Sequence, residues 1–572
     1  MGKLKSYILP HILYILLTLS IKFLGTYVEL YIPSLMETML DEKVPTGRMQ
    51  EIFLYGGLML LCAVACLVLN IVANRMTAFS SGRITKAVRH DLFQKLQSLS
   101  ARQMDELTVS SGESRLTSDT YNVNQLLTRV QRMGVRAPIL LVGGIVMLFQ
   151  MDAMLALVLL VLLPIVAVVV YFVTKKSVPM YTHQQTVLDD VVQVVQENIT
   201  GIRVIKALSK SEYEKKRFAK VNEELADIGQ RAGMVTSITG PVTSAVLNVG
   251  LTLVVVIGAF RVNSGAIQGG VIIAALQYFV MILNAMVGIT RIFVMWSKGQ
   301  ASATRVAQVL ELPEDLQVEA SGEKEENPPH IVFENVSFSY TGVGKNIKDL
   351  SFSLEKGQTL GILGGTGSGK TTILNLLLRL YDADEGEIRI DGENIKTIPT
   401  EQLRQKFGVV FQNDFITEGT IAHNIRFFRD VPEAALTQAA DCAQADFIWE
   451  KEGQMDAEVV VRGNNLSGGQ KQRLLIARAL AAKPEILVLD DASSALDYRT
   501  DANLRKALRE NFHHTTTVLV TQRISALRHA DLILVMHDGC VLGKGDHKTL
   551  METCQEYRLI AQTQMGCEGE VL

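Results

Sequence analysis

Residues 364–371 read GGTGSGKT, which matches G-x-x-x-x-G-K-[ST]. A phosphate group needs donors at close range and no side chains in the way. Gly364, Gly367 and Gly369 let the backbone wrap with its N–H groups pointing inward. Lys370 adds a point charge, and Thr371 offers a hydroxyl to a magnesium ion. Gly365, Thr366 and Ser368 complete the loop, and Thr372 follows it into an apolar helix-like run, ILNLLLRL. A helix starting here aims the positive end of its dipole at the phosphates. A second piece is ILVLD, residues 486–490, where Asp490 ends an apolar strand and would hold magnesium through water. A third is LSGGQKQRLLIARAL, in which Ser467, Gly468, Gly469 and Gln470 open another helix. That small-residue turn also suits a phosphate. It would crowd the phosphate already held at 364–371, so it reads as the lid over a second nucleotide carried by another chain.

These pieces lie in the last 240 or so residues of a 572-residue chain, which is longer than one core supports. The apolar excess behind the 48% hydrophobic content sits in the first 300 residues, in long runs. A helix needs about 20 apolar residues to cross a bilayer, and six stretches qualify: about 7–33, 51–73, 134–150, 153–174, 242–262 and 269–293. The third and fourth meet at Met151-Asp152. The domains expected are a membrane domain, 1–311; an acidic, proline-ended linker, 312–329; and a nucleotide-binding domain, 330–572. The fold class is thus an all-α six-span membrane domain with long cytoplasmic helical extensions, fused to an α/β domain built on the phosphate loop. Basic residues crowd the segments between spans two and three and between spans four and five, which places those segments and both termini in the cytoplasm. Both segments show helical periodicity, as in AVRHDLFQKLQSL, and each is expected to turn back midway, near Arg115–Asn124 and Gly201–Tyr213. Within the first span, Lys22 and Glu29 share a helical face; Lys22 lies well inside and Glu29 near the outer end. Either could touch cargo. A net charge of −3 gives no sign of a nucleic-acid partner, and the six cysteines show neither metal nor disulfide spacing.

The chain resembles an ATP-binding-cassette exporter half-transporter over nearly its whole length, with the cassette motifs in the family's order. The resemblance implies ATP and Mg2+ as cofactors and Tyr340 stacking on adenine. Gln412 would link magnesium to the membrane domain, and Ser494 to Asp497 would form a loop crossing to a partner cassette. The turns of the two long segments would be coupling helices. Two chains would sandwich two ATP molecules, each between the phosphate loop of one and the LSGGQ-type motif of the other. The implied setting is a bacterial plasma membrane, and the cargo a small amphipathic, lipid or peptide molecule.

Two residues depart from the family pattern. The position after the magnesium aspartate is usually glutamate, which polarises the attacking water; here it is Asp491. The position after the next strand is usually histidine; here it is Gln522. Both would face the ATP on this chain's own loop, whereas the LSGGQ motif is intact. The expectation is a heterodimer whose second half-transporter supplies glutamate and histidine, with slow hydrolysis at this chain's site. A homodimer that tolerates both residues and a membrane-anchored ATP sensor remain as alternatives. Near Val461 the family commonly has an acid, so cross-talk through that position is in doubt.

Overall fold

The apolar runs of the first half can satisfy their backbone groups in lipid only as helices, and they do so. In a computed structural model, residues 2–313, 315–320, 327–342, 344–412 and 415–568 are described. The chain divides into two units, Met1–Gln97 with Val109–Leu312, and Ser98–Thr108 with Pro313–Leu572.

In the first unit, six helical runs among the described residues are long and apolar enough to cross a membrane: Leu4–Thr46, Met49–Ser98, Val109–Met151, Ala153–Thr200, Ser211–Asn263 and Gly269–Met286. The helix Met49–Ser98 has 50 residues and so rises about 75 Å. The hydrocarbon core is about 30 Å thick, so more than half of this helix lies outside it. The hairpin between the third and fourth runs is fixed by Asp152. Its carboxylate accepts the Leu155 N–H at 2.9 Å and receives Arg261 Nε at 3.1 Å. The helix that starts at Gly269 has no cap from Gln268; instead the carboxylate of Asp41 accepts the N–H groups of Gly270 and Val271.

Two expectations about this half change. The first turn of the chain is not at Arg115–Asn124. The helix Met49–Ser98 ends at a short helix, Ala101–Leu107, whose start carries a capping box between Ser100 and Gln103, and Thr108 breaks the helix with φ +62°. Residues 115–124 are helical throughout, with a π turn at Arg115–Asp119. They are held there by Arg305, whose Nε donates to Asp119 at 2.8 Å. The second turn falls where periodicity puts it, around the short helix Ile202–Ala207. Glu29, in turn, is not a solitary charge at the end of its helix. Helical structure runs on through Pro33 to Thr46, about 25 Å further along the axis, and Glu29 pairs with Arg136 at 2.6 Å.

The second unit has a six-stranded sheet in the order Cys540–Gly545, Leu532–His537, Thr359–Gly364, Thr516–Val520, Ile486–Asp490, Phe407–Val410. All neighbours are parallel except the first pair. Strands covered on both faces read as unbroken apolar runs, and every residue of Ile486–Asp490 is buried. A four-stranded antiparallel sheet, built on Ile331–Phe338, packs its apolar residues into a shared core with Ile373, Leu374 and Leu377 of the helix Lys370–Leu377. Ser98–Thr108 belongs to this unit: Gln103 donates to Pro313 O at 2.8 Å, and the Tyr381 hydroxyl donates to Asp105. Within the expected linker, buried Arg379 donates to Gln317 O at 2.7 Å, and Glu319 N–H bonds to Lys396 O. Residues 314 and 321–326 lie outside the described residues.

Candidate functional site in the cassette unit

Three adjacent parallel strands end side by side, and their carboxyl ends carry the candidate residues, as expected for an open α/β sheet. The strand Thr359–Gly364 runs into the phosphate loop. Ile486–Asp490 delivers Asp490 and Asp491, and Thr516–Val520 delivers Gln522. The register pairs Val520 with both Ile362 and Asp490, and the Asp491 N–H donates to Val520 O at 2.9 Å. Asp491 and Gln522 therefore flank the same loop.

The loop can take this path because of two glycines. A Cβ on Gly364 would lie 2.4 Å from Met536 O. Gly369 has φ +101°, and its Cβ would sit 2.7 Å from Ile347 Cδ1. Lys370 folds back over the loop, with Nζ donating to Gly364 O at 2.9 Å and Gly365 O at 2.6 Å. Burial pulls its ammonium pKa below the usual range, against the attraction of Asp490 and Asp491. Ser368 is buried, and its Oγ has no partner among the described residues. Thr371 Oγ1 donates to Asp490 Oδ2 at 3.2 Å. Burial raises the carboxyl pKa of Asp490, and burial also raises that of Asp491, opposed there by Arg523 and Lys370.

Tyr340 stands over the other side of this helix start. Its hydroxyl accepts from Asn375 Nδ2 at 3.0 Å and donates to Thr372 Oγ1 at 3.4 Å. Its ring meets Phe338 and Tyr381 edge to face, at centroid distances of 4.9 and 5.0 Å. Gln412 is exposed beyond the strand Phe407–Val410 and lines a groove with Gly468, Gln472 and Ala495.

Ser467 caps the helix Gly468–Ala481 in a capping box with Gln470. No hydrogen bond among the described residues joins it to the phosphate loop. Its neighbours are residues of the 494–497 segment: a Cβ on Gly469 would touch Ala495 O at 3.1 Å. Asp497 caps the following helix through the Thr500 N–H at 2.9 Å. Val461 is 56% exposed.

The profile of the ABC transporter transmembrane region matches residues 12–286, and the ABC transporter profile matches residues 347–494. The Bacillus subtilis protein named "Uncharacterized ABC transporter ATP-binding protein YfiB" is 33% identical over 578 residues, covering 100% of this chain and 99% of its own. The chain belongs to the ABC transporter family. The "Fatty acid ABC transporter ATP-binding/permease protein" of Mycobacterium bovis is 32% identical, over 81% of this ABC transporter and 74% of its own length. The solved structure of a bacterial Atm1-family ABC exporter with ATP bound is 23% identical, with a TM-score of 0.82, covering 98% of this chain and 99% of that one. This ABC transporter thus has the half-transporter architecture and an exporter's fold, a helical membrane domain fused to one ATP-binding domain.

Sequence reasoning missed several residues of this ABC transporter that hold the site together. Gln472 donates to Ser494 Oγ and accepts the Ala495 N–H, both at 2.9 Å. Arg523 donates to Ser494 O at 3.1 Å and Leu496 O at 3.3 Å, with its guanidinium 5.2 Å from the Tyr498 ring centroid. Buried Arg478 donates to Phe415 O at 2.7 Å and Asn424 O at 2.8 Å. Gln472 and Arg523 are polar residues directly beside named motifs, which is the signal that was available. Arg478 gave none, because a charge on an apolar helix face reads as solvated until its carbonyl partners are seen.

Proposed function

We infer that the chain is one half of a heterodimeric exporter in a bacterial plasma membrane, with both termini cytoplasmic. Its own loop binds Mg-ATP and hydrolyses it slowly, and Ser467 to Gln470 complete the partner's working site. The observation that carries this reading is the placement of Asp491 and Gln522 at the ends of adjacent strands beside one loop. Two departures on a single site, beside an intact LSGGQ motif, point to a division of labour between unlike chains.

The donor set fits Mg2+. Thr371 and Asp490 offer hard oxygen ligands 3.2 Å apart, and the family resemblance adds Gln412 to them. When bound, the ion supplies charge neutralisation to the phosphates. Lys370 exchanges its bonds to the Gly364 and Gly365 carbonyls for phosphate oxygens, and Tyr340 offers its ring to adenine. Asp491 takes the place of the residue that orients the attacking water. It is one methylene shorter than glutamate, so its oxygens stand back by about 1–1.5 Å, a shift that can cost about a hundredfold where positioning carries catalysis. Gln522 can donate a hydrogen bond to the γ-phosphate but cannot take up a proton or carry a positive charge. The partner's loop, closed by Ser467, Gly468, Gly469 and Gln470, has no such deficit if it carries glutamate and histidine.

An amphipathic cargo is supported by the apolar composition of the spans and by the likeness to the Mycobacterium bovis protein named as a fatty acid ABC transporter. The test is a mild-detergent purification of the chain from its native membrane, with co-purifying polypeptides identified by mass. A near-stoichiometric second half-transporter with glutamate and histidine at the matching positions is expected. Recovery of the chain only with itself would overturn the heterodimer and make Asp491 a working residue.

A further inference from the structure

Within the membrane unit, a group of charges is held together at one level. Lys22 is 4% exposed, and its Nζ donates to Asn70 Oδ1 at 2.6 Å and Asn74 Oδ1 at 3.4 Å. The two helices can approach this closely because residue 25 is glycine; a Cβ there would lie 3.2 Å from Leu69 Cβ. Arg132 Nη2 donates to the backbone carbonyl of the same Asn74 at 3.3 Å. Arg136 Nη2 meets Glu29 Oε1 at 2.6 Å. Arg132 and Arg136 are the cations that bear on Lys22, and Glu29 is the carboxylate that offsets them. Three cations are thus set against one anion among the described residues.

The level of this group in the bilayer follows from the sequence around it. Asn70 and Asn74 close the apolar stretch of Met49–Ser98 on the side where Arg75, Arg83, Lys86 and Arg89 follow. The group therefore sits where that helix leaves the hydrocarbon toward its basic end. Unbalanced charge at such a depth is not tolerated against lipid tails; it faces the bundle interior or a watery cavity and marks a ligand path. Its hydrogen bonding is also incomplete. Glu29 Oε2, Arg132 Nε and Arg136 Nε are buried without partners among the described residues. Gln131, 4% exposed, accepts the Ser80 hydroxyl at its Oε1, and its Nε2 has no partner among the described residues. Three of these four orphaned atoms are N–H donors. Basic pockets between helices at this side of a membrane recognise anionic head groups, and the missing partner here has the chemistry of an acid oxygen.

We propose that Lys22, Arg132 and Arg136 receive the anionic head group of an amphipathic cargo, with Glu29 acting as an internal counterion that the head group displaces from Arg136. This rests on the reading of the chain as an exporter of amphipathic cargo and narrows it to acids. Neutral amphiphiles of the same chain length lack the charge needed to replace Glu29. A carboxylate and a phosphate monoester share the required chemistry.

The test measures binding to the assembled full-length complex in nanodiscs, with ATP turnover recorded separately on the same samples. The probes are three lipids with one oleoyl chain: oleate, lysophosphatidic acid and monooleoylglycerol. The acids should bind more tightly than the neutral lipid, and preference for one acid names the head group. Arg136→Gln should weaken acid binding at least tenfold and leave the neutral lipid unchanged. Glu29→Gln should tighten acid binding several-fold, because it removes the competing carboxylate. If Arg136→Gln fails to assemble, Arg132→Gln, whose bond goes only to a backbone carbonyl, carries the same expectation. Equal binding of all three lipids, or weakening by Glu29→Gln as large as that by Arg136→Gln, would overturn the proposal and leave a structural ion pair. Acid binding that never changes ATP turnover would leave the site standing and sink the exporter reading instead.

Discussion

Gln472 is bonded through both ends of its amide to one short loop, donating to Ser494 Oγ and accepting the N–H of Ala495, each at 2.9 Å. The start of the helix Gly468–Ala481 and the loop 494–497 are thereby one rigid piece. Arg523 grips the same loop from the side of Gln522, through the carbonyls of Ser494 and Leu496. In the proposed composite arrangement, Gln472 and Arg523 tie the loop 494–497 to the signature helix and to the segment that carries Gln522.

Gln472→Ala removes both amide bonds, each worth about 0.5–1.5 kcal/mol. If this piece closes the partner's site, as proposed, turnover of the assembled complex should fall about tenfold. Affinity for a non-hydrolysable ATP analogue at this chain's own loop should stay within about twofold. Equal losses in both measurements would mean that the bonds serve only the folding of the cassette.

Asp491→Glu together with Gln522→His should raise ATP turnover of the complex by about tenfold or more, given the geometric penalty argued above. Each single change should give less than the pair. Unchanged turnover would show that these two residues do not limit the site.

Ser100 is the cap of the short helix Ala101–Leu107 and also donates to Asp315. Ser100→Ala should destabilise that helix by about 1 kcal/mol, read as faster amide exchange over residues 101–107. Ser100→Thr should restore most of the protection. Protection unaffected by alanine would place the helix under the control of Tyr381 and Gln103 instead.

His330 is buried beside Thr516, with its Nδ1 2.6 Å from the Thr516 hydroxyl. Burial lowers its pKa below the ordinary 6.5, although Asp391 pulls the other way. The unfolded chain then binds a proton that the folded chain refuses. This stability is present above the unfolded value and is lost as pH falls through 6.5 toward the folded one. The melting temperature of the complex should drop on acidification across that window, and His330→Asn should reduce the drop. An unaltered profile in the variant would assign the acid sensitivity to other groups.

The phosphate loop, Asp490 and the capped signature helix were legible because each is local: a strand, a turn of small residues and a helix follow one another within about fifteen residues. The spans were legible for the same reason, from composition alone. What escaped was settled at a distance. The Glu29–Arg136 pair joins residues 107 apart, and an acid read by its place in one span looks wet until its partner is known. The first turn was misplaced because polar residues 115–124 resemble a loop, while the real turn is marked only by the S-x-x-Q box at Ser100–Gln103. Buried Asp119 explains the difference: with Arg305 as partner, a loop-like stretch is held as helix.

The carboxylate of Asp41 caps the helix beginning at Gly269 through the N–H of Gly270, 229 residues further along the chain. The first and last membrane helices are thus latched at one end by a single side chain. Parting them there would strip two N–H groups of their acceptor, at a cost of about 1–2 kcal/mol for a lost cap. A cost of that size is about a tenfold change in the balance between joined and parted ends. Alanine at position 41 would leave that end of the bundle ajar.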